Sequence, residues 1–283
     1  MADQKNKSNA RIDAPAHLEV EGLGVVYGSR PVLCDISFQV PEGTRVAVVG
    51  PNGAGKSTLF KAMVGLVPAH SGRVLVHGLP FGQHQDCVAY VPQREEVDWR
   101  FPVSVSDVVM MGRYGQLGWL RRPGLADRRI VARALEQMNL TALAGQPIGE
   151  LSGGQQQRAF LARALAQEPH ILLMDEPFTG VDIATQEATL ALLDDLRDHQ
   201  VTVMVSTHDL TLAAERFDQV LLLNRELIAY GTSAVAFRPD MLSKAFGSQL
   251  LLLPNGAALV DQCCPADEEH THAHTHAHEE PSP

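Results

Sequence analysis

The stretch Gly50-Pro51-Asn52-Gly53-Ala54-Gly55-Lys56-Ser57 decides the fold of this chain. It matches the pattern Gly-x4-Gly-Lys-Ser/Thr, in which a glycine-rich backbone turns its N–H groups onto phosphate oxygens. In such a loop a lysine, here Lys56, neutralises the β- and γ-phosphates, and a hydroxyl, here that of Ser57, ligates Mg²⁺. The stretch therefore predicts a phosphate-binding loop for ATP and Mg²⁺.

The residues on either side place this loop between a strand and a helix. Arg45–Val49 is apolar and β-branched, which is typical of a buried parallel strand, and residues 56–66 follow as a predicted helix. The free N–H groups and the dipole of a helix N-terminus favour anions. The residues predicted to bind the nucleotide here are Gly50, Asn52, Gly53, Gly55, Lys56, Ser57 and Thr58.

The rest of the chain alternates strands with helices, interrupted by a helical insertion between about residues 93 and 168. Further strands are predicted at 17–27, 32–40, 73–76, 88–91, 170–174, 201–206 and 219–223. Further helices are predicted at 126–138, 153–167 and 185–197, at Leu210–Arg216, and at Val105–Met111, which Ser104 can cap. This alternation predicts a parallel sheet with helices on its faces.

A pair of carboxylates follows one of the later strands. Ile171–Met174 is wholly apolar and is followed directly by Asp175 and Glu176. Side chains at the carboxyl end of a strand meet the ligand in an α/β sheet. We therefore predict that Asp175 orients Mg²⁺ and that Glu176 polarises the attacking water.

A second glycine-rich segment, Leu151-Ser152-Gly153-Gly154-Gln155, lies just upstream of that strand. With it, the chain resembles the ATP-binding subunits of ABC transporters, whose signature is Leu-Ser-Gly-Gly-Gln. Its serine and glycines form a helix start with free N–H groups, which is a second phosphate cradle. The resemblance implies a homodimer that sandwiches two nucleotides head to tail. The residues implied to contact the partner's ATP are Ser152, Gly153, Gly154 and Gln155.

Four further positions match this family between about residues 17 and 231. Gln93 corresponds to the glutamine that reaches Mg²⁺ or water, and His208 to the histidine that contacts the γ-phosphate. Asp182 lies in the segment called the D-loop, and Tyr27 matches the aromatic residue that stacks on adenine. The implied catalytic set is therefore Glu176, His208 and Gln93, with Ser57, Gln93 and Asp175 around Mg²⁺.

The resemblance also implies the domain organisation. The implied fold is an α/β P-loop NTPase with a RecA-like parallel-sheet core, an antiparallel β subdomain and a helical subdomain. We predict a disordered extension at 1–15, the ATPase domain at 16–248 with its helical subdomain at about 94–165, a C-terminal segment at 249–262, and a histidine-rich acidic tail at 263–283.

Charge and composition narrow the class of partner. The formal net charge is −10, and six acidic residues without a single Lys or Arg lie from Asp261 onward, so the remainder carries only −4. This balance gives no electrostatic case for nucleic acid. No apolar run is long enough to span a membrane, and no secretory signal is evident. Four scattered cysteines fit a reducing cytoplasm.

Two short stretches resemble the manganese, zinc and iron importer ATPases within this family. They are Val97-Asp98-Trp99 and Met111-Gly112-Arg113. The resemblance implies a peripheral subunit on the cytoplasmic face of the cell membrane. It would bind a polytopic permease and act indirectly with an extracytoplasmic metal-binding protein.

The tail carries five alternating histidines, at His270, His272, His274, His276 and His278. Neutral imidazole is a good ligand for zinc and similar divalent ions. Thiolates from Cys263 and Cys264 would favour zinc over manganese. The tail therefore predicts a site for Zn²⁺ or another divalent ion, the alternative being a solvated acidic tail.

Three other functions remain open at this point. The chain could energise a transporter for a different substrate, or act as a non-transport ABC ATPase on the ribosome or DNA. It could also be a metal-binding regulator in which ATP is secondary. The second alternative usually comes with paired ATPase halves or long coiled coils, which this chain lacks. The complete set Lys56, Asp175, Glu176 and His208 argues against the third.

Overall fold

The structure is a computed structural model that describes residues 18–83, 85–93, 99, 101–117, 121–247, 250–252 and 258–260. The predicted extension at 1–15 and the predicted tail at 263–283 lie outside these residues. The predicted domain boundaries therefore stay predictions.

The described chain forms three sheets. The strands are β1 (Leu18–Tyr27), β2 (Arg30–Val40), β3 (Arg45–Val49), β4 (Ser71–Val76), β5 (Leu79–Pro80), β6 (Val88–Val91), β7 (Ile171–Met174), β8 (Thr202–Thr207), β9 (Gln219–Asn224), β10 (Glu226–Gly231), β11 (Leu250–Leu252) and β12 (Ala258–Val260). The helices are α1 (Lys56–Met63), α2 (Val105–Met111), α3 (Tyr114–Leu117), α4 (Leu125–Gln137), α5 (Gly153–Ala166), α6 (Ile183–Asp198), α7 (Leu210–Arg216), α8 (Ser233–Ala236) and α9 (Pro239–Phe246).

The central sheet has the strand order β10-β9-β3-β8-β7-β6, and only β10 at its edge is antiparallel to its neighbour. Strands β7 and β8 are buried along their whole length, as expected for parallel strands covered on both faces. In β3, Val46 and Val48 pack into one core, and Ala47 and Val49 pack into the other. This arrangement confirms the predicted parallel sheet with helices on its faces.

The second sheet is antiparallel, in the order β2-β1-β4-β5. Leu18 of β1 pairs with Val40 of β2 and with Val76 of β4. The buried side chains of this sheet share one core with α1 and with one face of the central sheet. The helix that follows the phosphate loop therefore lies between two sheets, which holds its N-terminus in place.

The helical insertion packs around α2, α4 and α5 in the core on the other face of the central sheet. Ser104 caps α2 as predicted: its hydroxyl accepts from the Asp107 N–H at 3.1 Å, and the Asp107 carboxylate accepts from the Ser104 N–H. A Cβ at Gly112 would lie 2.1 Å from the Arg163 carbonyl oxygen of α5. The Met-Gly-Arg stretch therefore has a packing role, because only glycine lets α2 approach α5 so closely.

The helix after the phosphate loop is shorter than predicted. It ends at Met63 because Gly65 adopts φ +70°, and Leu66 N–H donates to Lys61 O at 2.8 Å. The prediction extended to Leu66 because that residue is apolar, yet it is 66% exposed. The hairpin strand β10 was not predicted at all.

Among the described residues, no helix is both long enough and apolar enough to cross a membrane.

Candidate active site

The phosphate loop connects β3 to α1 and closes into a concave turn. A Cβ at Gly50 would lie 2.1 Å from the Leu223 carbonyl oxygen of β9. Gly55 adopts φ +99°, and a Cβ there would lie 2.6 Å from Leu33 Cδ2. These positions require glycine for two different reasons, close approach of another backbone and left-handed conformation. The loop is thus held against β9 on one side and β2 on the other.

The loop lines an open cleft of about 460 Å³. The described lining residues are Val32, Asn52, Gly53, Ala54, Gly55, Lys56, Ser57, Thr58, Gln93 and Glu176. The cleft brings Gln93 and Glu176, which are far apart in the chain, to the predicted loop. A backbone cradle at a helix start, with a buried ammonium and a hydroxyl beside it, fits a triphosphate carrying Mg²⁺.

Lys56 is the buried cation of this cleft, with only 6% of its surface exposed. Its Nζ donates to Gly50 O at 2.9 Å and to Pro51 O at 3.2 Å, and lies 3.8 Å from Glu176 Oε1. Burial lowers the pKa of the Lys56 ammonium, and the carboxylates of Glu176 and Asp175 oppose that shift. The carbonyls of the loop therefore hold the ammonium where phosphates would be bound.

Asp175 is almost completely buried at the carboxyl end of β7, at 1% exposure. Its N–H donates to Val91 O at 2.9 Å, which continues the pairing of β6 with β7. The Ser206 hydroxyl donates to its Oδ1 at 2.5 Å, and the Tyr90 hydroxyl donates to its Oδ2 at 3.4 Å. Two donors thus orient a carboxylate of the type that holds Mg²⁺ in P-loop proteins.

Glu176 has a backbone conformation that is rare outside glycine, with φ +45°. Its N–H donates to the Ser206 hydroxyl at 2.8 Å, and its Oε2 accepts from Thr179 Oγ1 at 3.3 Å. A left-handed non-glycine residue costs about 1–3 kcal/mol and persists only where its surroundings hold it. Here the conformation turns the carboxylate into the cleft, where the predicted catalytic base is required.

Ser206 therefore joins Asp175 to Glu176, and sequence reasoning missed it. It lies near the end of β8, the neighbour of β7, and is fully buried. The only signal in the sequence was a hydroxyl residue inside an apolar strand two positions before His208. Its position beside Asp175 depends on strand order, which the sequence does not show directly.

We expect Ser206→Ala to keep ATP binding, to lower ATP turnover about tenfold, and to raise the Mg²⁺ concentration needed for half-maximal rate. The variant removes the hydroxyl that donates to the buried Asp175 carboxylate. Leaving a buried acceptor without its donor costs about 1–3 kcal/mol. Magnesium titration of the ATPase rate measures the effect. Ser206→Thr should restore it, and Ser243→Ala on the exposed surface of α9 is the matched control. A Mg²⁺ requirement equal to that of the unaltered chain would remove Ser206 from the site.

The second glycine-rich segment is not part of this cleft. Ser152 caps α5, its hydroxyl accepting from the Gln155 N–H at 3.4 Å while Gln155 Oε1 accepts from the Ser152 N–H at 2.8 Å. A Cβ at Gly154 would lie 2.9 Å from Thr185 Oγ1 and 3.6 Å from Asp182 Oδ2. The segment thus adjoins the start of α6, which Asp182 caps. Thr185 is a neighbour of the segment that sequence reasoning missed.

Two other predicted site residues, Tyr27 and His208, are exposed and are not among the residues that line the cleft. Tyr27 is 49% exposed at the end of β1, and His208 is exposed just after β8. Their predicted contacts with adenine and γ-phosphate stay predictions.

Of the Val-Asp-Trp stretch, only Trp99 is described, and its ring packs edge-on against Phe160 at 5.0 Å between centroids. The tail histidines lie outside the described residues.

Comparison with known proteins identifies the family. Residues 33–179 match the family model described as ABC transporter. The zinc transport system ATP-binding protein TroB of Treponema pallidum is 48% identical over 87% of this chain and 94% of its own length. The manganese transport system ATP-binding protein MntB of Bacillus subtilis is 48% identical over 83% of this chain and 94% of its own. The chelated iron transport system membrane protein YfeB of Yersinia pestis is 47% identical over 86% of this chain and 84% of its own length.

Solved structures agree with these relatives. An ABC transporter in an inward-facing conformation is 30% identical, with a TM-score of 0.72 over 86% of this chain and 95% of that chain. The protein cbiO1 of Clostridium perfringens, part of the ABC transporter complex cbiONQ, is 27% identical, with a TM-score of 0.67 over 80% and 92%. The predicted fold class is confirmed, and this chain belongs to the ABC transporter family as one of its ATP-binding proteins.

Proposed function

We propose that this chain hydrolyses ATP to energise the import of a metal ion, of the manganese, zinc or iron type, through a membrane permease. The observation that carries the ATPase part is the convergence of Lys56, Gln93, Asp175 and Glu176 on the phosphate loop. The names of the relatives support the metal-ion part, because they include zinc, manganese and chelated-iron transport systems.

In the proposed reaction, Glu176 takes a proton from water as the water oxygen attacks the γ-phosphorus. The bond from that phosphorus to the oxygen of ADP breaks in line, and phosphate and ADP are the products. Mg²⁺, when bound, neutralises charge on the phosphates. Lys56 and the loop amides hold the phosphates, Ser57 and Asp175 would hold the metal, and Gln93 and His208 would orient the water and the γ-phosphate.

The active unit in this proposal is a homodimer. Ser152–Gln155 do not line the described cleft of their own chain, although they offer the N–H groups of a helix start to an anion. A second copy would place this segment over the nucleotide held by Lys56. ATP binding would close the two copies together, and hydrolysis would release them.

We place the dimer peripherally on the cytoplasmic face of the membrane, bound to a polytopic permease. An extracytoplasmic metal-binding protein would deliver the cargo to that permease. A near-neutral body beside an acidic tail supports protein partners rather than nucleic acid.

Cellular metal content tests this function. Deleting the protein should lower the uptake of manganese, zinc or iron, and expression of the unaltered chain should restore it, whereas the Glu176→Gln chain should not. A polytopic membrane protein should co-purify with the chain. Unchanged uptake of all three metals would indicate that the chain serves a transporter for a different substrate. Co-purification with ribosomes instead would favour a non-transport role.

We propose in addition that the tail binds Zn²⁺ or a similar ion through its five histidines, and senses or buffers it. Calorimetry should show fewer zinc equivalents bound by a full-length chain with His270, His272, His274, His276 and His278 changed to glutamine. Equal zinc uptake by the two chains would leave the tail as a solvated acidic segment.

A further inference from the structure

A cluster of three metal-ligating side chains lies at the end of the central sheet opposite to the ATP cleft. His77 Nε2 is 3.0 Å from His170 Nδ1, and their rings meet edge to face at 5.1 Å between centroids. The Cys87 Sγ completes the group, and each residue offers a ligand atom within 4.8 Å of the other two. All three side chains are half-buried, so they are both constrained and open to solvent.

The backbone holds Cys87 and His170 firmly in this arrangement. Cys87 ends a short 3₁₀ turn just before β6, and His170 directly precedes β7, the parallel neighbour of β6. The His170 N–H donates to Cys87 O at 2.9 Å, and the Thr202 N–H donates to His170 O at 2.9 Å. Two ligands thus come from adjacent strands of a buried sheet, where the register cannot slip without exposing the core.

His77 reaches the cluster from the antiparallel sheet. It forms, with Gly78, the two-residue turn between β4 and β5, where Val76 pairs with Leu79. Both turn residues have positive φ, +53° at His77 and +73° at Gly78, as in a type I′ hairpin. This turn brings the imidazole of one sheet to the edge of the other.

From this geometry we propose that His77, Cys87 and His170 form a binding site for a divalent transition-metal ion, with zinc as its natural occupant. At Zn–N of about 2.0–2.1 Å and Zn–S of about 2.3 Å, tetrahedral ligand atoms stand about 3.3 Å apart for two nitrogens and about 3.6 Å for nitrogen and sulfur. The facing imidazole nitrogens are 3.0 Å apart in a hydrogen bond between the rings, and an ion would replace that bond as its proton leaves. A small movement of the three side chains would bring their ligand atoms to these distances. The fourth coordination position of the ion would be left for water or another ligand.

The chemistry of the donors selects the metal. Two imidazoles and one thiolate suit zinc, and also cobalt as its spectroscopic substitute, whereas manganese prefers oxygen donors and binds such sites weakly. Burial, together with Asp86, raises the pKa of the Cys87 thiol. A metal binds the thiolate form of cysteine, so binding an ion at Cys87 releases the thiol proton to solvent.

An ion here would fasten the β4–β5 hairpin to the central sheet. The same two strands, β6 and β7, lead at their other ends to Gln93 and to Asp175. His170 and Asp175 are five residues apart on an extended segment, about 16 Å. The site is thus separate from the nucleotide, and its existence does not depend on the proposed transport function.

The test uses the full-length chain with the tail made unable to bind metal, which we call the tail-silenced chain. In it His270, His272, His274, His276 and His278 are changed to glutamine, and Cys263 and Cys264 to serine. Under reducing conditions it should bind one equivalent of Co²⁺ and develop a thiolate-to-cobalt charge-transfer absorption, which Zn²⁺ should then abolish by displacement. Absence of that absorption at saturating Co²⁺ would overturn the proposal.

Single substitutions in the tail-silenced chain assign the ligands. Cys87→Ser should remove the charge-transfer absorption, and His170→Gln should weaken Zn²⁺ binding by at least about tenfold. Cys34→Ser and His70→Gln, which change a half-buried thiol and an exposed imidazole elsewhere, should change neither. Absorption that survives Cys87→Ser, or that is lost in Cys34→Ser, would contradict this assignment.

Two further variants keep the result interpretable. If Cys87→Ser or His170→Gln fails to fold, His77→Gln on the hairpin turn decides, because it should weaken Zn²⁺ binding by the same factor in a folded chain. Lys56→Ala should leave Co²⁺ binding unchanged, which separates failure of this site from failure of the ATPase function. Unaltered Zn²⁺ affinity in a folded His77→Gln chain would reject the three-residue site.

Discussion

Replacing Glu176 with glutamine is expected to leave ATP binding intact and to lower ATP turnover by about a hundredfold or more. The amide matches the carboxylate in shape but cannot take a proton from water. The bond from the N–H of residue 176 to the Ser206 hydroxyl comes from the backbone, so the substitution should leave it in place. Loss of rate without loss of binding is therefore the signature of the base.

Steady-state phosphate release, together with equilibrium binding of a fluorescent ATP analogue, measures both quantities. Glu187→Gln is the matched control, since Glu187 lies on the exposed face of α6, where it accepts from Arg216 Nη2 at 3.1 Å, away from the cleft. Turnover by Glu176→Gln at more than a tenth of the normal rate would reject Glu176 as the base.

The same variant tests the proposed dimer. Because hydrolysis would separate the two copies, Glu176→Gln with ATP and Mg²⁺ should elute as a dimer in size-exclusion chromatography. Adding Ser152→Arg to it places a bulky cation at the cap of α5 and should return the chain to the monomer position. An ATP-bound monomer in the single variant would contradict the sandwich.

Lys56→Ala is expected to weaken ATP binding by about a hundredfold or more. Among the described residues that line the cleft, Lys56 alone is cationic. Hydrogen bonds to charged groups contribute about 1.5–3 kcal/mol each, so losing two phosphate contacts accounts for that factor. The change also leaves the carboxylates of Asp175 and Glu176 facing the phosphates without the ammonium that offsets them.

Binding should be measured by calorimetry with ATP and Mg²⁺, next to the thermal unfolding of each chain. Lys61→Ala is the control, because it removes the same side chain from the same helix α1 beyond the cleft. The Lys61 variant should bind ATP as the unaltered chain does. If both variants lost affinity equally, the cause would be damage to α1 rather than loss of the phosphate contact.

Much of the site could be predicted because its signals are local. The loop from Gly50 to Ser57 specifies its own backbone through the spacing of its glycines. Ser104 and Ser152 predict helix starts because a capping hydroxyl bonds an N–H only three residues away. Asp175 and Glu176 follow an apolar strand in the chain, so their position at a sheet edge could be inferred as well. Such features need no knowledge of strand order.

The amino-acid sequence by itself determined the phosphate loop, the acidic strand end, the helix caps and the family. Tertiary structure alone decided which distant residues meet them. The Ser206 hydroxyl donates to Asp175, which is 31 positions away in the chain. Gly50 must be glycine because a Cβ there would lie 2.1 Å from the Leu223 carbonyl oxygen of β9. His77, Cys87 and His170 converge only because the β4–β5 turn of the antiparallel sheet lies beside the starts of β6 and β7 in the central sheet. The physical reason is that parallel strands are buried on both faces and joined by long connections. Which strand lies beside which therefore depends on packing across the whole chain, and no short segment encodes it.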